Sequence, residues 1–182
     1  MRIVSTALRL YSLLLALALG WIYVQNQLRW SFFINWNREK LLVDLLIGIG
    51  ASAFVIGLSI FSSKNFSWAQ LLEDEFSKVL VPLQTGEIAA IASLSGLVEE
   101  TLFRGAIQPV LGLIPTSMIF GLAHFVPRRV FLPWAAYAAF AGFLLGTIAE
   151  VRRNLFPAIL AHCLINFVLI LVLNRRRSVQ PA

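Results

Sequence analysis

Asn154-Leu155-Phe156-Pro157-Ala158-Ile159-Leu160-Ala161-His162-Cys163-Leu164-Ile165-Asn166-Phe167-Val168-Leu169-Ile170-Leu171-Val172-Leu173 holds no charge, and Arg175-Arg176-Arg177 follows it. A bilayer core about 30 Å thick takes roughly 20 apolar residues as helix, so this run reads as a membrane crossing. It is too long for a strand and does not alternate. Other runs of the same kind lie before it. Residues 130–149 are uncharged, and 105–126 are uncharged but contain Pro109 and Pro115. A run starting near Ile88 is broken by Glu99, Glu100 and Arg104. Residues 41–61 carry one charge, Asp44, and 10–24 carry none. The expected architecture is all-α: a polytopic bundle of about six transmembrane helices in one domain, 1–182, without repeats or low-complexity segments.

Composition agrees. Hydrophobic residues make up 59% and charged residues 13%, against roughly 45–50% and about 25% in a soluble domain. Mean hydropathy is +0.81. There is too little polar material to coat a globule, which excludes a soluble enzyme, a disordered chain and a nucleic-acid-binding domain. The net charge is 15 − 9 = +6. The basic residues sit between apolar runs, as in loops facing anionic headgroups. A single cysteine, Cys163, cannot form an intrachain disulfide and reads as a small core residue. Near the start, Ala16-Leu17-Ala18 resembles a signal-peptidase site, but the apolar run continues through Val24, so an uncleaved helix is expected.

Residues 67–83 read as an amphipathic helix on the membrane surface, with Trp68, Leu71, Leu72, Phe76, Val79 and Leu80 at helical spacing. Two seams of small residues are expected to pack closely: Ala138, Gly142 and Gly146 on one helix, and Ala92 and Gly96, which share a face with Glu100, on another.

Polar residues inside apolar runs carry the functional information, because a charge near the bilayer centre costs at least about 2.5–3.5 kcal/mol. Asp44 lies one turn into its helix and four residues from Lys40, with which it is expected to pair near the interface. Glu99 and Glu100 follow about eleven residues of mostly apolar helix. Neighbours on a helix point about 100° apart, so the two carboxylates cannot share a job. Glu100 and Arg104 are i, i+4 and can pair. Glu99 is then left without a local cation, and a lone carboxylate in low dielectric suits general acid–base work. His124 closes the run 120–124. His162 and Asn166, again i, i+4, share a face and can both donate to a developing oxyanion. Each motif alone has a plain reading as helix-to-helix glue. Together they are many buried polar commitments for one small bundle.

In this order the motifs resemble the CPBP family of intramembrane proteases. It includes the type II CAAX prenyl endopeptidases and bacterial proteins of bacteriocin processing and self-immunity. The family pattern is Glu-Glu-x-x-x-Arg, then Phe-x-x-x-His, then His-x-x-x-Asn or Asp. Here it stands as Glu99-Glu100-Thr101-Leu102-Phe103-Arg104, Phe120 to His124 and His162 to Asn166, within a core of about 88–171. The residues around Gly105, Gln108, Gly142 to Gly146 and Asn154 to Ile159 also look like the family. The resemblance implies hydrolysis of a membrane-embedded or lipidated peptide, with a CAAX-type substrate as one option. Glu99 is the implied general base acting with His124 on a water. His162 and Asn166 are implied to stabilise the oxyanion, and Glu100 and Arg104 to hold the site in shape. No His-Glu-x-x-His is present, so a metal-free site is preferred; the metal alternative is zinc on Glu99, His124 and His162.

Two readings from other classes compete. One is a non-catalytic membrane immunity or binding protein of the same fold. The other is a small proton-coupled transporter, against which stands the lack of an inverted repeat. Nucleic acid is not an expected partner. The expected location is the plasma (inner) membrane. Six spans would put Arg2, Arg9, Lys64, Lys78, Arg128, Arg129 and Arg175 to Arg177 on one side. Arg29, Arg38, Lys40, Arg104, Arg152 and Arg153 would lie on the other. That balance of 9 against 6 favours cytoplasmic termini.

Overall fold

The computed structural model describes residues 2–26, 30–80 and 82–179, and every regular element among them is helical. Four helices are long and apolar enough to cross a bilayer: α1 (Arg2–Val24), α3 (Arg38–Asn65), α8 (Leu132–Arg152) and α9 (Phe156–Val179). A short α2 (Trp30–Phe33) links the first two. Next come α4 (Ser67–Leu80) and a helical run, Thr85–Leu111, which pass the same criterion only as a pair bent by 108°. The membrane helix bundle expected from composition is present. Its crossing helices among the described residues number four, or five if the bent pair is one crossing, rather than six.

The difference lies between residues 85 and 126. The charges Glu99, Glu100 and Arg104 do not interrupt their helix, because other helices supply partners. Helix α5 (Thr85–Glu100) continues through a π-helical segment, Thr101–Ile107, into α6 (Gln108–Leu111). The chain breaks at Gly112 instead, whose φ of 81° suits glycine. Then α7 (Leu113–Ala123) runs for 11 residues, about 16 Å of helix. That is too short for a crossing, so the apolar run 105–126 is two helices.

Helix α9 packs against α5 and α3, α7 against α8, and α1 along α5 and the π-helical segment. Both small-residue seams lie in these contacts. A Cβ on Gly96 would stand 2.5 Å from Cys163 Sγ and 2.8 Å from the Cys163 backbone nitrogen, so α5 and α9 meet through that glycine. Cys163 was expected in the core but is only partly buried, at the line where α5 and α9 meet. On α8, the seam presents carbonyls as well as room: Gly142 O accepts from Arg104 Nη2 at 2.9 Å, and Gly146 O from Gln108 Nε2 at 3.1 Å.

Asp44 corrects one expectation. It is fully buried and pairs not with Lys40 but with Arg152 Nε at 2.5 Å and Asn154 Nδ2 at 2.9 Å. Asn154 Oδ1 also accepts from Phe156 N at 3.1 Å, closing the start of α9. One buried carboxylate thereby fixes the α8–α9 turn, where Arg153 has a φ of 55°, to α3.

Helix α4 leaves Trp68, Leu71 and Val79 exposed, as a surface helix facing lipid requires. Its polar face is tied down. Glu73 pairs with Arg176 and accepts from Ser63 Oγ at 2.8 Å, and Glu75 pairs with Arg128 at 2.8 Å and Lys78 at 2.5 Å. These two cations, hydrogen-bonding first from Lys78 and then from Arg128, hold the half-buried Glu75 carboxyl below the usual glutamate range. Of the loop charges counted above, Arg29 and the side chains of Arg2 and Arg177 lie outside the described residues.

Candidate active site

Glu100 and Arg104 form the buried base of the site. Glu100 is fully buried, and Arg104 nearly so. Glu100 Oε1 lies 2.7 Å from His162 Nδ1, and Oε2 lies 3.1 Å from Arg104 Nε, close but not aligned as a hydrogen bond. The guanidinium carbon sits 4.4 Å from the centre of the Phe120 ring, which adds a cation–π contact to the bond with Gly142 O. Phe120 meets Phe103 edge-on at 4.8 Å. The carboxylate is thus bracketed by an arginine of its own helix and a histidine of α9.

His124 caps the end of α7. Its Nδ1 lies 2.7 Å from Phe120 O, one of the last-turn carbonyls that a helix leaves unpaired. A carbonyl only accepts, so Nδ1 carries the hydrogen and Nε2 is free to face inward. The ring of Trp134 stands edge-on to His124 at 5.1 Å, and Phe76 of α4 stands edge-on to Trp134 at 4.8 Å. The surface helix therefore reaches the site through two aromatic rings.

Glu99 points away from Glu100, as the helical spacing requires. Its Oε1 accepts from Tyr11 Oη at 2.8 Å. Its Oε2 is buried and has no hydrogen-bond partner. That oxygen lies 3.6 Å from His124 Nε2 and 4.0 Å from His162 Nε2. Three helices, α5, α7 and α9, therefore deliver one carboxylate oxygen and two imidazole nitrogens to a single point. Asn166 sits one turn beyond His162, and its amide donates to Ser95 Oγ at 2.8 Å.

Two atoms bonded to one tetrahedral zinc ion stand about 3.3 Å apart, somewhat closer than the separations here. Among the described residues, no group of three or more His, Cys, Asp and Glu side chains stands close enough to hold a metal ion. A groove of about 960 Å³ opens between α6, α7 and the end of α8, but it reaches Arg104 and Gln108 rather than Glu99 or either histidine.

One member of this neighbourhood escaped the sequence: Tyr11 lies 88 positions from Glu99 in an otherwise apolar run. Gln108 was noticed among the family-like residues but given no role, and its bond to Gly146 O spans 38 positions. The available signal for Tyr11 was a hydroxyl placed deep in a membrane helix, which needs a partner when buried.

Residues 81–168 match the family described as Type II CAAX prenyl endopeptidase Rce1-like. That segment contains Glu99, Glu100, Arg104, His124, His162 and Asn166, so the match to this family takes in every residue of the motifs. The chain is also similar to the Bacillus subtilis (strain 168) protein named "Uncharacterized protein YpbD", with 37% identity over 93 residues, 51% of this chain and 47% of that relative. The chain thus covers about half the length of the curated relative it matches. No solved structure matches.

Proposed function

We propose that this chain is an intramembrane endopeptidase that hydrolyses a peptide bond of a membrane-associated substrate with a water activated by Glu99 and His124. One observation carries the reading: the buried, unpartnered Oε2 of Glu99 faces the Nε2 atoms of two histidines on two other helices. A water there donates one hydrogen to Oε2 and the other to His124 Nε2, which frees a lone pair for the scissile carbonyl. Glu99 accepts the proton as the new C–O bond forms. His162 and Asn166 donate to the oxyanion. Donation from His162 Nε2 requires a ring with both protons, and Glu100 at its Nδ1 is the counter-charge. Glu99 then returns its proton to the leaving amine as the C–N bond breaks.

Glu100 and Arg104 hold this arrangement and take no part in proton transfer. Glu100 is already bonded to His162 and paired with Arg104. Glu99 is therefore the carboxylate left for base work. With Glu99 as base, the histidines supply two ligands, one short of the usual three for catalytic zinc, and the proposed reaction uses no metal. The family match supports a lipidated peptide, of CAAX type, as the substrate class. With four crossings rather than five, both termini lie on one face of the plasma (inner) membrane, the cytoplasmic face that the balance of basic residues favours.

Quantitative proteomics of membrane fractions tests the reading. Cells expressing the wild type gain new peptide termini on membrane-associated proteins, and cells expressing Glu99→Gln do not. Identical termini in both would overturn it.

A further inference from the structure

We infer that Tyr11 is a positioning residue for the Glu99 carboxylate, so that α1 is part of the reaction machinery as well as a membrane helix. The inference rests on the function proposed above and deepens it.

A glutamate side chain has three rotatable bonds, and its carboxylate plane needs something to fix it. Oε2 has no hydrogen bond, and the two histidine nitrogens lie 3.6 and 4.0 Å away, beyond direct bonding range. Oε1 has one, from the Tyr11 hydroxyl at 2.8 Å. A bond to an ionised acceptor is roughly twice as strong as a neutral one. Holding Oε1 turns Oε2 toward the histidines.

The placement of Tyr11 is itself fixed. Leu10, Leu13, Leu17 and Trp21 of α1 are exposed to the lipid side, whereas Tyr11 is half-buried and Ala18 and Ile22 are fully buried. Positions 11, 18 and 22 share one helical face. That face sits on the π-helical segment that contains Arg104. A Cβ on Gly105 would stand 2.9 Å from Ile22 Cδ1, and Gln25 Nε2 donates to Ala106 O at 3.0 Å. The missing side chain at Gly105 sets the height of α1, and that height puts the phenol against Glu99. Tyr11 lies outside the family-matched segment 81–168, so the motif-bearing core receives this hydrogen bond from another part of the chain.

The test uses the full-length protein in liposomes and a quenched, farnesylated peptide ending in a CAAX-type sequence. Wild type, Tyr11→Phe and Glu99→Gln are compared for kcat and KM. Infrared difference spectra of ¹³C-glutamate-labelled protein read the carboxylate stretch, with Glu99→Gln assigning the band. The expected result is a kcat about tenfold lower in Tyr11→Phe from lost orientation, with KM unchanged and a shifted Glu99 band. Wild-type kcat in Tyr11→Phe, or a raised KM with kcat unchanged, would overturn the inference while inactive Glu99→Gln leaves the proposed function standing. An active Glu99→Gln would overturn both. If the wild type does not cleave this peptide, the infrared band decides: a shift supports the hydrogen bond's control of the carboxylate, and an unshifted band refutes it.

Discussion

Glu99 and Glu100 are neighbours in sequence with different surroundings, and the difference makes them separable. Glu100→Gln leaves Arg104 buried with a neutral partner and weakens the bond to His162. Breaking a buried pair from one side typically costs about 3–5 kcal/mol, so this variant is expected to unfold at clearly lower temperature in detergent, with activity lost as well. Glu99→Gln keeps its bond from Tyr11 and is expected to leave the unfolding midpoint unchanged while removing hydrolysis. Thermal unfolding of the two purified variants checks the contrast, and equal midpoints would contradict it. The polar residues at this scale were legible because each interrupts an apolar run, where a charge or imidazole is costly without a purpose. Glu100 and Arg104 were legible as a pair because their spacing is local. Asp44 was misassigned for the complementary reason: Lys40 is four residues away, whereas Arg152 and Asn154 are 108 and 110 away. Tyr11 was missed because its hydroxyl gains meaning only from a partner on another helix.

Helices α5, α7 and α9 bring the site together by close approach, and the glycines that permit it make separate predictions. Gly96→Ala forces a methyl to within 2.8 Å of the Cys163 backbone nitrogen, which trimming the cysteine side chain cannot relieve. The expected cost is about 1–3 kcal/mol of overpacking, with loss of activity as α9 moves His162 away from Glu99. Gly57→Ala on α3 meets nothing within 4 Å and is expected to change stability by less than about 1 kcal/mol. Unfolding midpoints that fall equally in both variants would argue against the close-approach account. Helix α4 yields a pH prediction. The folded-state carboxyl of Glu75 is lowered by Lys78 and Arg128. Its tie to the α7–α8 loop therefore contributes above the ordinary glutamate range and is lost as pH falls through the lowered folded value. Hydrogen exchange in α4 is expected to accelerate on that acid side in the wild type, and to show no such step in Glu75→Gln. At this scale the sequence located both small-residue seams by their four-residue spacing. It did not reveal the π-helical segment or the break at Gly112. An apolar composition is equally compatible with one long helix or two short ones, and the backbone decides between them through a positive φ that only the folded chain displays.

The whole molecule is a small bundle with apolar residues facing outward on α1, α3 and α8, and with its polar commitments gathered between α1, α5, α7, α8 and α9. Its fold class was readable from composition, since 13% charged residues cannot cover a soluble surface of this size. The number of crossings was less so, because run lengths fix apolarity and not where the backbone turns. The proposed reaction makes a prediction about metal at this scale. Purified protein stripped with chelators is expected to retain its activity, measured against its residual zinc content; activity that vanishes and returns with one equivalent of zinc would make Glu99, His124 and His162 ligands. Cleavage itself is the central claim, and it is tested most directly by mass spectrometry of a farnesylated CAAX-type peptide incubated in liposomes with the wild type or with Glu99→Gln. The account predicts a new carboxyl terminus with the wild type and none with the variant. The same product at the same rate from both, or an intact peptide beside a Glu99-dependent proton flux, would contradict it.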